Sequence, residues 1–305
     1  MNSGVLQAAG PVAQTIASLS WLLFAGGGLI FLGVMGLLAW ALRRHGSAPR
    51  TRLWILGGGV IFPGAVLAAL FVHVLPLTPF RQAPPADALL VSVTGHMWWW
   101  EVRYTSTPGQ PEIVTANEIR IPGGRTVAIA LASDDVIHSF WVPALAGKVD
   151  MVPGRRHQLI LSGDRPGVYR GQCAEFCGEQ HARMALHVVV ETPAAFEAWR
   201  QGQLLAAASP ATPAQQRGRQ AFIANRCDAC HTVRGAGEPS RLGPDLTHVG
   251  SRLHLGAGSL PNSPAALAHW IAHVQQIKPG ARMPSFGQLD ATTLADLGEW
   301  LGSLK

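Results

Sequence analysis

The sequence is poor in charged residues and in cysteine. Only 14% of its 305 residues are Asp, Glu, Lys or Arg, whereas soluble domains carry about 25%. The shortage is greatest at the start, because no charged residue precedes Arg43. Cysteine occurs four times, in two closely spaced pairs. The low charge excludes a wholly water-soluble protein and predicts segments that lie in a membrane.

Two long uncharged runs predict membrane-spanning helices. They cover about residues 16–42 and 53–77, within a hairpin of residues 1–80, and about 20 apolar residues suffice for one crossing. Pro63, followed by Gly64, predicts a kink in the second span. A cleavable signal peptide is the alternative for the first run. It is disfavoured because no basic residue precedes the run and because the run is long for a signal sequence.

The loop between the two runs sets the expected orientation. Residues 43–52 contain four arginines and no acid. Such loops stay in the cytoplasm, so the N-terminus and everything after about residue 80 are expected outside a bacterial plasma membrane. The same loop supplies much of the net charge of +6, so the high isoelectric point does not indicate nucleic-acid binding.

One short loop carries soft metal ligands. Cys173, Cys177, His181 and Met184 lie within twelve residues, and His138 lies 35 positions upstream. Sulfur and imidazole ligands select copper or zinc, and the methionine argues against structural zinc. A mononuclear blue-copper site needs one cysteine, so the second is surplus unless two copper ions share both sulfurs. The loop therefore predicts a binuclear, electron-carrying copper centre.

A second motif predicts a covalent haem. Cys227, Cys230 and His231 form the C-x-x-C-H sequence that attaches c-type haem, with the histidine as iron ligand. Met283 is the expected distal ligand, which makes an electron carrier rather than a catalyst; a core methionine is the alternative. These two sites use all four cysteines, so none remains for a structural disulfide.

Several motifs together resemble a known family. The segments 135–143, 148–154 and 173–184 look like the CuA domain of subunit II of haem-copper cytochrome c oxidases, and residues 95–100 resemble its aromatic run. The resemblance covers roughly residues 12–200. It is specific because five ligand side chains recur in order at the right intervals.

The resemblance implies a role for each residue of the copper site. Cys173 and Cys177 would bridge both ions, His138 and Met184 would complete one, and His181 with the backbone carbonyl of Glu175 would complete the other. The carboxylate of Glu175 would also reach a Mg or Mn ion shared with the catalytic subunit. The implied copper ligands are His138, Cys173, Glu175, Cys177, His181 and Met184.

Trp98 and the acids before His138 also take roles from the resemblance. Trp98 would lie over the copper site as the residue through which electrons arrive; ordinary strand packing is the alternative. Strand alternation is expected to send Trp98 and Trp100 to one face and Trp99 to the other. Asp134 and Asp135 would face a cationic cytochrome, and a solvated turn explains them equally well.

The predicted architecture has three parts after the pattern changes at Pro84. Short runs separated by Gly, Pro and Asp predict an all-β Greek-key domain over residues 81–205, and the resemblance implies a cupredoxin-like fold. An Ala, Ser and Pro linker follows at 206–213. Residues 214–305 resemble class I cytochrome c, an all-α domain whose terminal helices cross where Gly218 permits close approach to an aromatic residue.

The resemblance as a whole implies subunit II of a caa3-type oxidase, a proton-translocating oxidoreductase. Single electrons would pass from a cytochrome c or a cytochrome bc complex through haem c to copper, and on to subunit I, where O2 becomes water. Other oxidase subunits and membrane lipid are further expected partners. A copper-containing subunit of a nitric oxide reductase and a free-standing membrane-tethered electron carrier are the alternatives. No carboxylate precedes Trp54, where many family members have one lining a proton channel, so no proton-channel residue is assigned.

Overall fold

The computed structural model describes residues 4–43, 50–77, 83–105 and 112–305, in two compact units. One unit comprises residues 14–83, and the other residues 1–13 with 84–305. The helices are α1 (Pro11–Arg43), α2 (Thr51–Leu77), α3 (Pro193–Leu204), α4 (Pro213–Ala224), α5 (Pro264–Ile277) and α6 (Ala291–Ser303). The strands are β1 (Leu89–His96), β2 (Trp99–Tyr104), β3 (Ile113–Ala116), β4 (Glu118–Pro122), β5 (Val127–Ser133), β6 (His138–Trp141), β7 (Val149–Met151), β8 (His157–Leu161), β9 (Gly167–Cys173), β10 (Ala185–Glu191), β11 (His254–Leu255) and β12 (Leu260–Pro261).

Helices α1 and α2 are the two predicted spans. Each has a mean hydropathy of 2.3 over its most apolar window and is long enough to cross a membrane. The helix is π-helical from Trp54 to Ile61, just before Pro63, where a kink is expected. Proline lacks an N–H and collides with the carbonyl four residues earlier, and a wider turn relieves both problems. Residues 44–49 of the arginine-rich loop lie outside the described residues.

The copper-ligand segments belong to a sandwich of two five-stranded sheets. One sheet has the order β3-β2-β1-β5-β8 and the other β4-β10-β9-β6-β7. The pairs β1–β5 and β4–β10 are parallel, and the other pairs are antiparallel. Large apolar side chains from both sheets fill the interior, and Trp100 and Phe140 are fully buried there. This confirms the predicted cupredoxin-like β domain.

The N-terminal segment before α1 completes this sandwich. The Ala9 N–H donates to the carbonyl of Ala144 at 2.7 Å, and the Asp164 N–H donates to the carbonyl of Ala9 at 2.8 Å. Gly10 follows so closely that a Cβ on it would lie 2.2 Å from the carbonyl oxygen of Ser162. Ala9 and Gly10 are therefore packed against a domain that is encoded much later in the chain.

Helices α4, α5 and α6 form the all-α domain at the end of the chain. A Cβ on Gly218 of α4 would lie 2.1 Å from the carbonyl oxygen of Asp296 in α6. One turn further, the rings of Phe222 and Trp300 meet edge to face, with centroids 5.1 Å apart. This confirms the predicted helix crossing at a glycine.

The segment between the β sandwich and the helical domain is bound along part of its length. Helix α3 ends at Leu204, because Leu205 is extended. The N–H of Ala207 donates to the carbonyl of Arg234 at 2.9 Å, and Nε2 of His248 lies 3.1 Å from the carbonyl of Leu205. The predicted linker is thus held against the helical domain at this end.

Candidate metal and haem sites

Three of the predicted copper ligands lie at the ends of three adjacent strands, and the others lie in the loop after Cys173. Cys173 ends β9, His138 begins β6, and Met184 directly precedes β10. Register fixes these positions, because Phe140 of β6 pairs with Cys173. The N–H of Cys173 also donates to the carbonyl of Met184 at 2.9 Å, which closes the loop that carries Cys177.

The ligand atoms converge on the two sulfurs. The sulfurs of Cys173 and Cys177 are 3.7 Å apart. Nδ1 of His138 lies 3.8 Å from the Cys173 sulfur, and Nδ1 of His181 lies 3.7 Å from the Cys177 sulfur. The Met184 sulfur is 3.8 Å from that of Cys177. Two soft sulfurs, each with a nitrogen beside it and a thioether close by, fit a copper pair.

The backbone carbonyl of Glu175 also faces this cluster. Its oxygen lies 3.2 Å from the sulfur of Cys173, as the implied ligand role requires. The Glu175 carboxylate points away and lies 3.4 Å from Nζ of Lys148, with both side chains about half exposed. Lys148 pairs with Asp150 at 2.9 Å as well. The carboxylate is thus available at the surface, with a cation as its present partner.

Asp135 orients His138. Its carboxylate lies 2.9 Å from Nε2 of His138 and accepts the N–H of Met97 at 2.7 Å. Burial alone would lower the pKa of His138, but its hydrogen bonds to Cys173 and Asp135 raise it. Burial likewise acts to raise the pKa of Asp135, yet the hydrogen bonds it accepts lower it. Asp135 is therefore engaged inside the domain, whereas Asp134 is exposed.

The two thiols titrate as a pair. The hydrogen bond from the Cys177 thiol lowers the pKa of Cys173, with help from His138 and backbone donors. The same thiolate neighbour, together with burial, raises the pKa of Cys177. One thiolate therefore forms readily, and the second proton must be displaced by a bound cation. This pairing suits a site that holds positive charge between the sulfurs.

The haem motif has the geometry that an iron ligand needs. Nδ1 of His231 lies 2.8 Å from the carbonyl of Pro244, which leaves Nε2 free for iron. A Cβ on Gly243 would lie 2.6 Å from Cε1 of His231, so this glycine gives the ring its space. Burial lowers the pKa of His231. Neither Cys227 nor Cys230 is paired in a disulfide, so both sulfurs could form thioethers.

Met283 lies in the loop after α5. Its side chain packs against the same apolar cluster as Cys227, and its carbonyl accepts a hydrogen bond from Nε2 of Gln275 at 2.7 Å. Met283 and the attachment cysteines thus border one apolar interior, which fits an enclosed haem. The assignment of Met283 as distal ligand stays a prediction.

We call residues 173–184 the copper loop. Trp98 lies between this loop and the helical domain. Its indole N–H donates to the carbonyl of Cys177 at 2.8 Å, and the side chain is buried. A Cβ on Gly280 would lie 3.4 Å from its six-membered ring. Trp98 lies in the turn before β2, so strand alternation does not determine its position. Within β2, Trp100 is buried, whereas Trp99 is half-buried and stacks on His96 at 4.5 Å.

Sequence reasoning missed three residues near these sites. A Cβ on Gly95 would lie 2.8 Å from Cδ2 of His138, and this glycine begins the aromatic motif, so the motif itself carried the signal. Asp135 was read only as a surface acid. Lys278 has its side chain buried beside Trp98, and no local pattern marks it.

Comparison with known proteins assigns both domains to families. Residues 107–192 match the family model described as cytochrome c oxidase subunit II, periplasmic domain, and residues 215–305 match that of cytochrome c. The two matches correspond to the β sandwich with its copper-ligand loop and to the helical domain with its C-x-x-C-H motif.

Two relatives of this chain share the name cytochrome c oxidase subunit 2. The chain is 37% identical over 222 residues to cytochrome c oxidase subunit 2 of Alkalihalophilus pseudofirmus, covering 72% of this chain and 62% of the relative. It is 28% identical over 229 residues to that of Bacillus subtilis, covering 72% and 63%. The chain thus spans less than two thirds of these relatives' length. The crystal structure of the periplasmic domain of subunit II of cytochrome oxidase from Bradyrhizobium japonicum is 28% identical, covers 39% of this chain and 95% of its own, and superposes with a TM-score of 0.36.

Proposed function

We propose that this chain, which joins a cytochrome c oxidase subunit II domain to a cytochrome c domain, is the electron-input subunit of a caa3-type haem-copper oxidase. Single electrons would pass from a donor through haem c to a binuclear copper centre and on to the catalytic subunit. That subunit would reduce O2 to water in a complex that translocates protons. The relatives named cytochrome c oxidase subunit 2 support this assignment.

Both cofactors would be held by residues of this chain. Cys227 and Cys230 would bind haem covalently, with His231 and Met283 as iron ligands. When bound, haem and copper would each supply reversible one-electron chemistry. The copper ligands would be His138, Cys173, Cys177, His181, Met184 and the carbonyl of Glu175.

The Trp98 contact is the observation that carries the proposal. On one side its indole donates to the carbonyl of Cys177, and on the other side the ring lies against Gly280. Gly280 is in the loop that leads to Met283. A single aromatic side chain thus touches both the copper-ligand loop and the loop with the expected iron ligand, which supports Trp98 as the connection between them.

The protein holds the copper ligands rigidly and away from water. The side chains of His138, Cys173, Cys177 and Met184 are buried. The N–H of Ala174 donates to the carbonyl of Ser139 at 3.0 Å, which ties the copper loop to β6. Fixed ligands of this kind keep the same positions in both oxidation states, because little around them can reorganise.

We call the β sandwich the copper domain and the helical domain at the end of the chain the haem domain. The proposed topology has the copper domain outside the plasma membrane. Two apolar helices and the arginine-rich loop between them favour a two-pass protein with a cytoplasmic loop. The contacts of Ala9 with Ala144 and Asp164 support a shared side for the N-terminus and the copper domain. Both would lie on the periplasmic or outer side, where the catalytic subunit and the donor are met.

Glu175 is proposed to serve a second metal at the boundary with the catalytic subunit. Its carboxylate is about 40% exposed and faces away from the sulfurs. Carboxylate oxygen suits Mg or Mn, and the partner would supply the remaining ligands. Lys148 would have to release the carboxylate when such an ion binds.

The proposal is tested on the complex purified gently from membranes. A c-type haem, a mixed-valence copper signal in electron paramagnetic resonance and further oxygen-reactive haems in one particle are expected. Haem c and copper without a second large subunit would instead show a free-standing carrier, and the absence of a copper pair would refute the central assignment.

The Trp98→Leu variant tests the connection itself. Stopped-flow reduction is expected to show normal reduction of haem c and slowed reduction of copper. Trp99→Leu is the matched control, because Trp99 stacks on His96 on the other face and is expected to leave both rates unchanged. Equal rates of copper reduction in wild type, Trp98→Leu and Trp99→Leu would show that Trp98 is not on the electron path from haem c to copper.

A further inference from the structure

Lys278 is a buried charge that the proposed function does not use. It caps α5, and only 3% of it is exposed. Its Nζ donates to the carbonyls of Trp98 at 2.7 Å, Arg183 at 2.9 Å and Gly256 at 2.9 Å. An ammonium has three donors, so all of them are satisfied. Two acceptors belong to the copper domain and one to the haem domain.

The residues on either side of Lys278 also bind the copper loop. The side chain of Arg183 donates to the carbonyl of Ile277, and Nε2 of Gln180 donates to the carbonyl of Pro279 at 2.9 Å. We call residues 277–280 the lysine loop. This loop packs against residues 180–183, and each of the two segments donates hydrogen bonds to the other. The lysine loop also covers the ring of Trp98 through Gly280.

The contact between the two domains extends well beyond the lysine loop. The N–H of Ala185 donates to the carbonyl of Ala257 at 3.0 Å. The N–H of Leu253 donates to the carboxylate of Glu118 at 2.8 Å, and the rings of His187 and His254 stack at 4.3 Å. We call this set of contacts, with the lysine loop, the interdomain seam. Its length fixes the orientation of the haem domain on the copper domain.

The buried ammonium of Lys278 is better suited to fixing the relative position of the two domains than to strengthening their association. Burial lowers its pKa to about 7, because removing an ammonium from water is costly unless every donor finds an acceptor. An exposed Lys278 ammonium would keep its water shell and carry no such cost. Burying this charge therefore adds little to the free energy with which the two domains associate. Only one placement of the domains, however, offers three carbonyls at once. A displaced placement would leave a buried ammonium without acceptors.

We propose that Lys278 positions the haem domain so that Trp98 is covered, and that a soluble donor therefore reaches copper only through the haem domain. The proposal rests on the proposed function, since it takes Trp98 as the path to copper. It makes the haem domain an obligatory intermediate instead of a tethered carrier that competes with soluble ones.

The wild-type complex provides the first test, by labelling lysines with an amine-reactive reagent under native conditions. Lys278 is expected to react at least about tenfold more slowly than the exposed Lys148 and Lys305, because labelling requires the seam to open. Mass spectrometry of the digested protein gives all three rates in one sample. Equal rates for Lys278 and Lys305 would overturn the proposal.

The Lys278→Met variant provides the second test, with Lys305→Met as the matched control that removes the same charge from the same domain. In Lys278→Met, hydrogen exchange of the amides of Ala185 and Leu253 is expected to rise at least about tenfold. Reduced soluble cytochrome c is then expected to reduce copper without a preceding reduction of haem c. In Lys305→Met and wild type, haem c is reduced first.

The possible failures are distinguishable. Loss of the copper or haem spectrum in wild type would refute the proposed function before any labelling. Intact spectra with wild-type exchange and wild-type order of reduction in Lys278→Met would refute the role of Lys278 alone. If that variant does not accumulate, the labelling rates of wild type still decide.

Discussion

Asp135 accepts a hydrogen bond from Nε2 of His138 at 2.9 Å, and this bond leaves Nδ1 facing the sulfur of Cys173. A carboxylate can only accept, so Nε2 must carry the proton. The carboxylate thus selects the tautomer and the ring orientation that a metal ligand needs.

Replacing Asp135 is expected to weaken copper binding. In Asp135→Asn the amide no longer fixes the tautomer, so copper affinity should fall about 10- to 100-fold. Competition with a copper chelator, followed by the copper spectrum, measures this loss. Asp134→Asn is the matched control, because Asp134 is 69% exposed and its carboxylate lies 3.5 Å from Nδ1 of His96. Equal affinities in the two variants would contradict the orienting role.

Gly95 is expected to tolerate no side chain. A Cβ there would lie 2.8 Å from Cδ2 of His138, so Gly95→Ala should displace the ring and lower the free energy of unfolding by about 1–3 kcal/mol. Copper content and urea denaturation of the purified complex check both effects. Gly202→Ala is the control, since nothing lies within 4 Å of a Cβ on Gly202. A fully copper-loaded, stable Gly95→Ala protein would show that His138 has more room.

Gly218→Ala is expected to separate the terminal helices of the haem domain. The new Cβ would meet the carbonyl oxygen of Asp296 at 2.1 Å, and a backbone atom cannot rotate away. We expect a loss of about 1–3 kcal/mol in the free energy of unfolding, measured by denaturation followed through haem absorption. Gln220→Ala, at an exposed position of the same helix, should stay within about 0.5 kcal/mol of wild type. Equal stability of the two variants would rule out the close crossing.

Acid is expected to destabilise the copper domain through His187. Burial, with help from His254 and Arg170, lowers the pKa of His187 to about 4. Above its ordinary pKa of about 6.5 the ring is neutral in both the folded and the unfolded chain. Between that value and about 4, only the unfolded chain gains the proton, so stability falls as pH falls through this window.

Thermal unfolding of the complex from pH 7 to pH 4 measures this effect. His187→Leu should flatten the dependence, because no proton is then gained at this position on unfolding. His269→Gln, at an exposed position of α5, should keep the wild-type slope. A slope unchanged in His187→Leu would show that other groups cause the acid sensitivity.

The local features of this protein could be predicted from its sequence, whereas the contacts between its domains could not. Cys173, Cys177, His181 and Met184 lie in one loop, so their convergence follows from spacing. Gly218 and Phe222 occupy one face of a helix for the same reason. Lys278 binds the carbonyl of Trp98 across 180 positions. Backbone carbonyls are present at every residue, so no side-chain pattern could name its acceptors.

The contacts of the linker could not be predicted from the sequence either. Its Ala, Ser and Pro residues indicate a linker, and nothing in that composition points to a binding partner. The carbonyl of Arg234 in the haem domain nevertheless accepts the N–H of Ala207, and His248 lies beside the carbonyl of Leu205 just before the linker. These two residues look like ordinary surface polar groups in the sequence, and only the fold brings them to the linker.

The position of Ala9 beside Ala144 and Asp164 separates the order of synthesis from the order of folding. The ribosome makes Ala9 before its binding partners, which follow more than a hundred residues later. The segment that contains Ala9 must therefore wait, unpaired, while both apolar helices and most of the β sandwich are made. It then closes a long loop, whose entropic cost rises only slowly with length. Ala9 and Gly10 are thus translated early but are among the last residues to reach their place in the β sandwich.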